Sequence, residues 1–178
     1  MTLAGKKAVF RVPPGRRKGA MEDTIVVSGS PRSGTTWLAE IFRELPSYKL
    51  INEPLRLSTN PRAREAGFKW RTHVAPGEKR PELQSHLEDV LRGRVELGPA
   101  WHLRESNLLG KLQEYLVRRK LVVKFCRAGR MLHWMADRVP SRGIVVIIRH
   151  PCAVIASMLN MGDNWKPQDV EDLSLAER

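Results

Sequence analysis

The residues best suited by type and spacing to do chemistry lie in IVVSGSPRSGTTWLAEIF, residues 25–42. Gly29 and Gly34 bracket a short loop, and Thr35 and Thr36 follow it. This is nearly the spacing of the phosphate-binding pattern G-x-x-x-x-G-K-[ST]. Here Thr35 stands at the lysine position and Arg32 lies inside the loop. Small residues between a strand and a helix let backbone N–H groups converge on a phosphate, and the helix dipole adds to the attraction. Gly34 allows close approach, while Ser33, Thr35 and Thr36 offer hydroxyl and amide donors. Arg32 supplies a fixed charge with a planar fork. A tight turn without a ligand also uses glycines, but the full pattern between strand and helix favours an anion site.

The missing lysine narrows the ligand. Enzymes of ATP and GTP use it on the β and γ phosphates and hold Mg²⁺ with an acidic residue. The later apolar runs LVVKF (121–125) and GIVVIIR (143–149) end near Lys124 and Arg149 rather than in an aspartate. Cations stand where such an enzyme needs a metal ligand. The pattern therefore implies a metal-free site for a different phosphorylated ligand.

These residues need elements to carry them. Residues 24–29 and 48–52 read as short strands, with 121–125 and 143–149 as two more. Trp37, Leu38, Ile41, Phe42 and Leu45 recur at helical spacing over 34–45, and Pro46 stops that helix. Further helices are expected over 81–92, 103–118, 129–138 and 151–161, the last opened by Pro151. The unbroken apolar run at 143–149 suits a central parallel strand covered on both faces. Repeated strand–helix alternation gives an α/β fold of P-loop type, three layers around a central parallel sheet. Residues 55–80 lack periodicity and read as an irregular insertion. The 55–120 stretch is the variable part, 1–20 a basic mobile arm, and 21–178 the domain. The last helical pattern stops in mid-course, as in an N-terminal piece of a longer fold.

The chain of 178 residues carries 31 Lys+Arg against 19 Asp+Glu, a net charge of +12. That balance favours anionic partners without choosing among them. The cations are scattered and no nucleic-acid recognition fold emerges, so specific nucleic-acid binding is not expected. No apolar run approaches the length of a membrane span. Cys126 and Cys152 make no disulfide framework. Both read as buried free thiols of a reducing, cytoplasmic compartment.

PRSGTTW at 31–37 resembles the 5′-phosphosulfate loop of sulfotransferases that use 3′-phosphoadenosine 5′-phosphosulfate (PAPS), whose usual form is P-K-S-G-T-T-W. IIRHPCAVIASML at 147–159 is similar to that family's 3′-phosphate motif, with Arg149 ending a strand and Ser157 eight residues on. VVKFCRAGRML at 122–132 resembles the family's K-T-H-L-P stretch more weakly. Lys124 falls on the lysine, but Cys126 falls on the histidine that serves there as base. A thiol is a poor substitute for imidazole in that role.

The resemblance implies transfer of a sulfuryl group from PAPS to a hydroxyl or amine, with the product nucleotide 3′-phosphoadenosine 5′-phosphate (PAP) released. Arg32 and the loop amides would stabilise the leaving phosphate, Lys124 would assist the transferring group, and Arg149 with Ser157 would hold the 3′-phosphate. Trp37 either lines the adenine or packs its helix. Glu53, in LINEPL, is the candidate base, as in several carbohydrate sulfotransferases. It would gain a raised pKa against an apolar wall, or else it pairs with a nearby arginine. His73 and His102 are held in reserve. The basic insertion, with Trp70, either walls an acidic sugar acceptor or is a solvated loop, the second slightly favoured. The competing functions are a kinase-like nucleotide-binding protein, a truncated inactive relative and a basic nucleic-acid-binding module.

Overall fold

The computed structural model describes residues 21–94 and 120–161. The expected arm, the helix over 103–118, His102 and the tail from 162 lie outside the described residues.

Four strands form one wholly parallel sheet: β1 (Ile25–Gly29), β2 (Tyr48–Asn52), β3 (Lys120–Phe125) and β4 (Gly143–Ile147). Their order across the sheet is β2-β3-β1-β4. Ile25 sits beside Val122 and Gly143, while Asn52 and Val27 flank Lys124. Helices α1 (Thr35–Arg43), α2 (Pro61–Glu65), α3 (Pro81–Leu91), α4 (Leu132–Arg138) and α5 (Pro151–Leu159) complete the described elements. A 3-10 turn at Gly129–Met131 leads into α4.

Side-chain alternation along the strands builds two apolar layers. Ile25, Val27, Val122 and Tyr48 face α1 through Ala39, with Leu38 and Phe42 packed against them. Val26, Ile51, Val123 and Phe125 face the other way, onto Leu83, Leu87 and Val90 of α3 and Trp134 and Met135 of α4. Val26, Val27, Val122 and Val123 are fully buried. Each contributes roughly 1.5–3 kcal/mol by burial, an upper range because the unfolded chain is already partly compact. Trp134, also fully buried, satisfies its indole by donating Nε1–H to the Glu78 carbonyl at 2.8 Å.

The path of the chain sets where a ligand goes. The α1 crossover leads from β1 over one face, and the α4 crossover leads from β3 over the other. β1 and β3 are neighbours, so their carboxyl ends form a topological switch point, where parallel α/β sheets open a crevice.

Three expectations need correction. β4 is an edge strand among the described residues, not a central one, with Val146 48% exposed. Its apolar run gave no information about neighbours. The 55–80 insertion is neither wholly irregular nor a solvated loop. It holds α2, capped by the Asn60 side chain, and buries Leu55, Ala63, Phe68 and Val74 in the larger core. Its apolar residues lack a period because they pack from turns. Cys152 is exposed, and Cys126 is partly buried. Cys152 occupies the first turn of α5, on a face that the sheet does not cover. Trp37 and Ile41 on α1, and Leu45 just past its end, also point outward, 42–70% exposed. No helix among the described residues is long and apolar enough to cross a membrane.

Candidate functional site

The loop between β1 and α1 is held by three specific features. Gly29 has no room for a side chain: a Cβ there would lie 2.6 Å from the Ile147 carbonyl and 2.8 Å from Ser33 Oγ. Gly34 caps α1 at φ 103, a left-handed conformation that glycine adopts without steric cost. Ser33 turns inward and donates its hydroxyl to the Ser30 carbonyl at 2.7 Å. Its backbone amide donates to the same carbonyl at 3.2 Å, so both donors of Ser33 brace the loop. Thr35 is buried, with Oγ1 3.5 Å from Cys126 Sγ. Thr36 and Trp37 are exposed.

Arg32 sits in the same loop at φ 65. A left-handed non-glycine residue costs about 1–2 kcal/mol, which the surrounding contacts must offset. Two hydrogen bonds do so across the sheet. Arg32 Nε donates to Ser157 Oγ of α5 at 3.1 Å, and Arg149 Nη1 donates to the Arg32 carbonyl at 3.0 Å. Arg32, Arg149 and Ser157, distant in sequence, thus form one cluster. Both arginines are exposed, and neither pairs with a carboxylate among the described residues. Arg149 precedes α5, whose first turn is capped by His150 Nδ1 accepting from the Cys152 amide. Two helix N-termini, α1 and α5, therefore flank exposed guanidinium groups at the carboxyl edge of the sheet. Such an arrangement attracts anions.

A second cluster lies where β2 and β3 end. Lys124 is buried, its side chain only 7% exposed. Its Nζ donates to Asn52 Oδ1 at 3.1 Å and pairs with Glu53 Oε1 at 3.1 Å. Asn52 reaches it because the two residues are register partners on the same face. Glu53 leaves the strand at φ 52, while its amide still bonds the Lys124 carbonyl at 2.9 Å. Glu53 Oε2 accepts from the Cys126 amide and from Arg127 Nη1, both at 3.2 Å. Glu53 therefore has two cations and an amide around it rather than an apolar wall.

Cys126 joins the clusters, with its thiol against Thr35 and its amide on Glu53. Burial, reinforced by the Glu53 carboxylate, pushes the thiol pKa up to about 11. It is a neutral filler at neutral pH, not a substitute base. His73 is exposed.

Arg127 and Asn52 were not evident from sequence as site residues. A cation two positions beyond Phe125, at the end of a central strand, is the signal that would have pointed to Arg127. Trp70 of the insertion stacks on it, 3.8 Å from guanidinium carbon to ring centroid. The insertion thereby reaches the site. No group of three or more metal-ligating side chains occurs among the described residues.

Fold and site together define a parallel α/β protein with exposed guanidinium groups and two helix N-termini at the carboxyl edge of its sheet. The chain matches the model of the sulfotransferase family over residues 24–177, and it belongs to that family. No curated protein and no solved structure matches it. The family supports sulfuryl transfer as the general reaction class.

Proposed function

We propose that this protein transfers a sulfuryl group from PAPS to a hydroxyl or amine acceptor, of which an acidic sugar is the favoured class. The Arg32–Ser157–Arg149 cluster carries the proposal. It supports a site for two separated phosphates, because it links the β1–α1 loop to the start of α5. Amides of the loop and the α1 dipole receive the 5′-phosphosulfate. Arg149, with Ser157 as neutral donor, holds the 3′-phosphate that distinguishes PAPS from ATP-like nucleotides.

The chemistry then assigns charges to places. The acceptor oxygen or nitrogen attacks sulfur, the bond from sulfur to the 5′-phosphate oxygen breaks, and PAP leaves carrying the negative charge. Arg32 and the loop amides stabilise that developing charge. Lys124, beneath the switch point, stabilises the oxygens of the moving sulfuryl group. The acceptor proton passes to the Glu53 carboxylate. Trp37 lies against the adenine in this reading, which its exposure at the start of α1 supports.

The test is PAP formation from PAPS across alcohol, amine and uronic-acid oligosaccharide acceptors. Acceptor-dependent PAP release, abolished in Arg32→Ala, is expected. Release that is the same with and without every acceptor would contradict a transferase role.

A further inference from the structure

Arg127 bridges two parts of the molecule that the reaction scheme above leaves separate. Its Nη1 lies 3.2 Å from Glu53 Oε2, and its guanidinium lies flat enough on Trp70 to bring the two centres to 3.8 Å. The Cys126 amide binds that same Oε2. Oε1 is different. It lies 3.1 Å from Lys124 Nζ but accepts no hydrogen bond of normal geometry. One oxygen of Glu53 is thus fixed by two donors, and the other is buried against the Lys124 ammonium. A planar guanidinium stacked on an indole is held in orientation in a way that a flexible ammonium is not. Trp70 is itself carried by a packed segment, between buried Phe68 and Val74.

We infer that the Trp70–Arg127 stack is a positioning device for the acceptor half of the site. It holds Glu53 by Oε2 and so fixes the carboxylate beside Lys124. It also makes the placement of that carboxylate depend on the 55–80 segment. The inference rests on the reading of Glu53 as proton acceptor. Arg127 and Trp70 act through Glu53 and need not touch either substrate.

The test uses the full chain with Arg127→Ala, Arg127→Lys, Trp70→Leu and Trp70→Phe. PAP affinity is measured by calorimetry. Turnover is measured as PAP release from PAPS, with water or an oligosaccharide of alternating glucuronic acid and N-acetylglucosamine as acceptor. PAP affinity and the KM for PAPS stay within about twofold in all four, while kcat falls about tenfold to a hundredfold in Arg127→Ala and Trp70→Leu, the scale of a misplaced reacting group. Trp70→Phe keeps a ring under the guanidinium and retains most of the rate. Arg127→Lys keeps the charge without the planar fork and recovers part of it. In a Glu53→Gln background, Arg127→Ala has no further effect on kcat, which a merely structural role would not produce.

An unchanged kcat in Arg127→Ala, or an equal loss in the Glu53→Gln background, overturns the inference. A matching loss of PAP affinity also overturns it, by placing Arg127 in the donor site or the fold. A wild-type protein that does not bind PAP overturns the underlying PAPS reading instead. One that binds PAP but shows no Glu53-dependent release removes the base assignment, and this inference with it.

Discussion

The two charged clusters at the carboxyl edge of the sheet are opposites. Around Arg32 and Arg149 the cations are exposed and, among the described residues, bonded to a hydroxyl and a carbonyl. Around Glu53 the charges are enclosed and paired with each other, with Glu53 and Lys124 side chains 13% and 7% exposed. An exposed guanidinium with neutral partners is matched to an anion that arrives from solution. A buried carboxylate braced by two cations is fixed in place, as a group acting on a bound acceptor must be. On the proposed reading the first cluster binds the donor and the second takes part in the reaction. Cys126 lies between them, its thiol on Thr35 and its amide on Glu53.

The sharpest way to separate the clusters is Glu53→Gln. It keeps the shape and removes the proton acceptor, so PAP release should fall about 10²- to 10⁴-fold, while calorimetry finds PAP affinity within about twofold. Equal losses of both would merge the clusters into one. Arg149→Ala should do the reverse at the donor end. Loss of a charge-assisted phosphate contact, about 1.5–3 kcal/mol, weakens PAP binding about tenfold to a hundredfold. ADP, lacking the 3′-phosphate, should bind the variant and the wild type alike.

Gly29→Ala tests whether the donor loop depends on close backbone approach. Its Cβ would lie 2.6 Å from the Ile147 carbonyl, and overpacking of this kind costs about 1–3 kcal/mol. Equilibrium denaturation should show a lower midpoint at unchanged slope. Ser157→Ala removes a neutral donor only and should weaken PAP binding about threefold to tenfold.

The smallest effect concerns the link between the clusters. At neutral pH a thiol reagent should label exposed Cys152 and spare Cys126. Cys126 titrates near 9.0 unfolded and about 11 folded. The folded state therefore holds its proton more tightly, and this contribution to stability is present below pH 9 and lost as pH rises through about 11. Cys126→Ser, which removes the thiol's titration from this range, should flatten that alkaline decline.

The donor half was legible in the sequence because its information is local. Gly29, Arg32 and Gly34 share one turn, and Arg149 and Ser157 share one strand–helix junction. Strand and helix positions followed from the same local periodicity. What was not legible depends on neighbours far along the chain. An apolar β4 looks central until its place at the edge of the sheet, among the described residues, is known. Phe68 and Val74 look like loop residues until α3 and β3 are packed over them. For Glu53 an apolar wall and an arginine partner were both open, and the structure shows the second: its partners Lys124 and Arg127 lie more than seventy residues away. A left-handed φ at Glu53 turns the carboxylate toward them, and no residue type in LINEPL encodes that turn openly.

The most direct measurement is a calorimetric titration of the full chain with PAP, with ADP and duplex DNA as controls. One-to-one binding of PAP, much tighter than ADP and insensitive to competing DNA, is the expected result. Binding of ADP as tight as PAP, or uptake of DNA in place of either nucleotide, would contradict a site built around a 3′-phosphate.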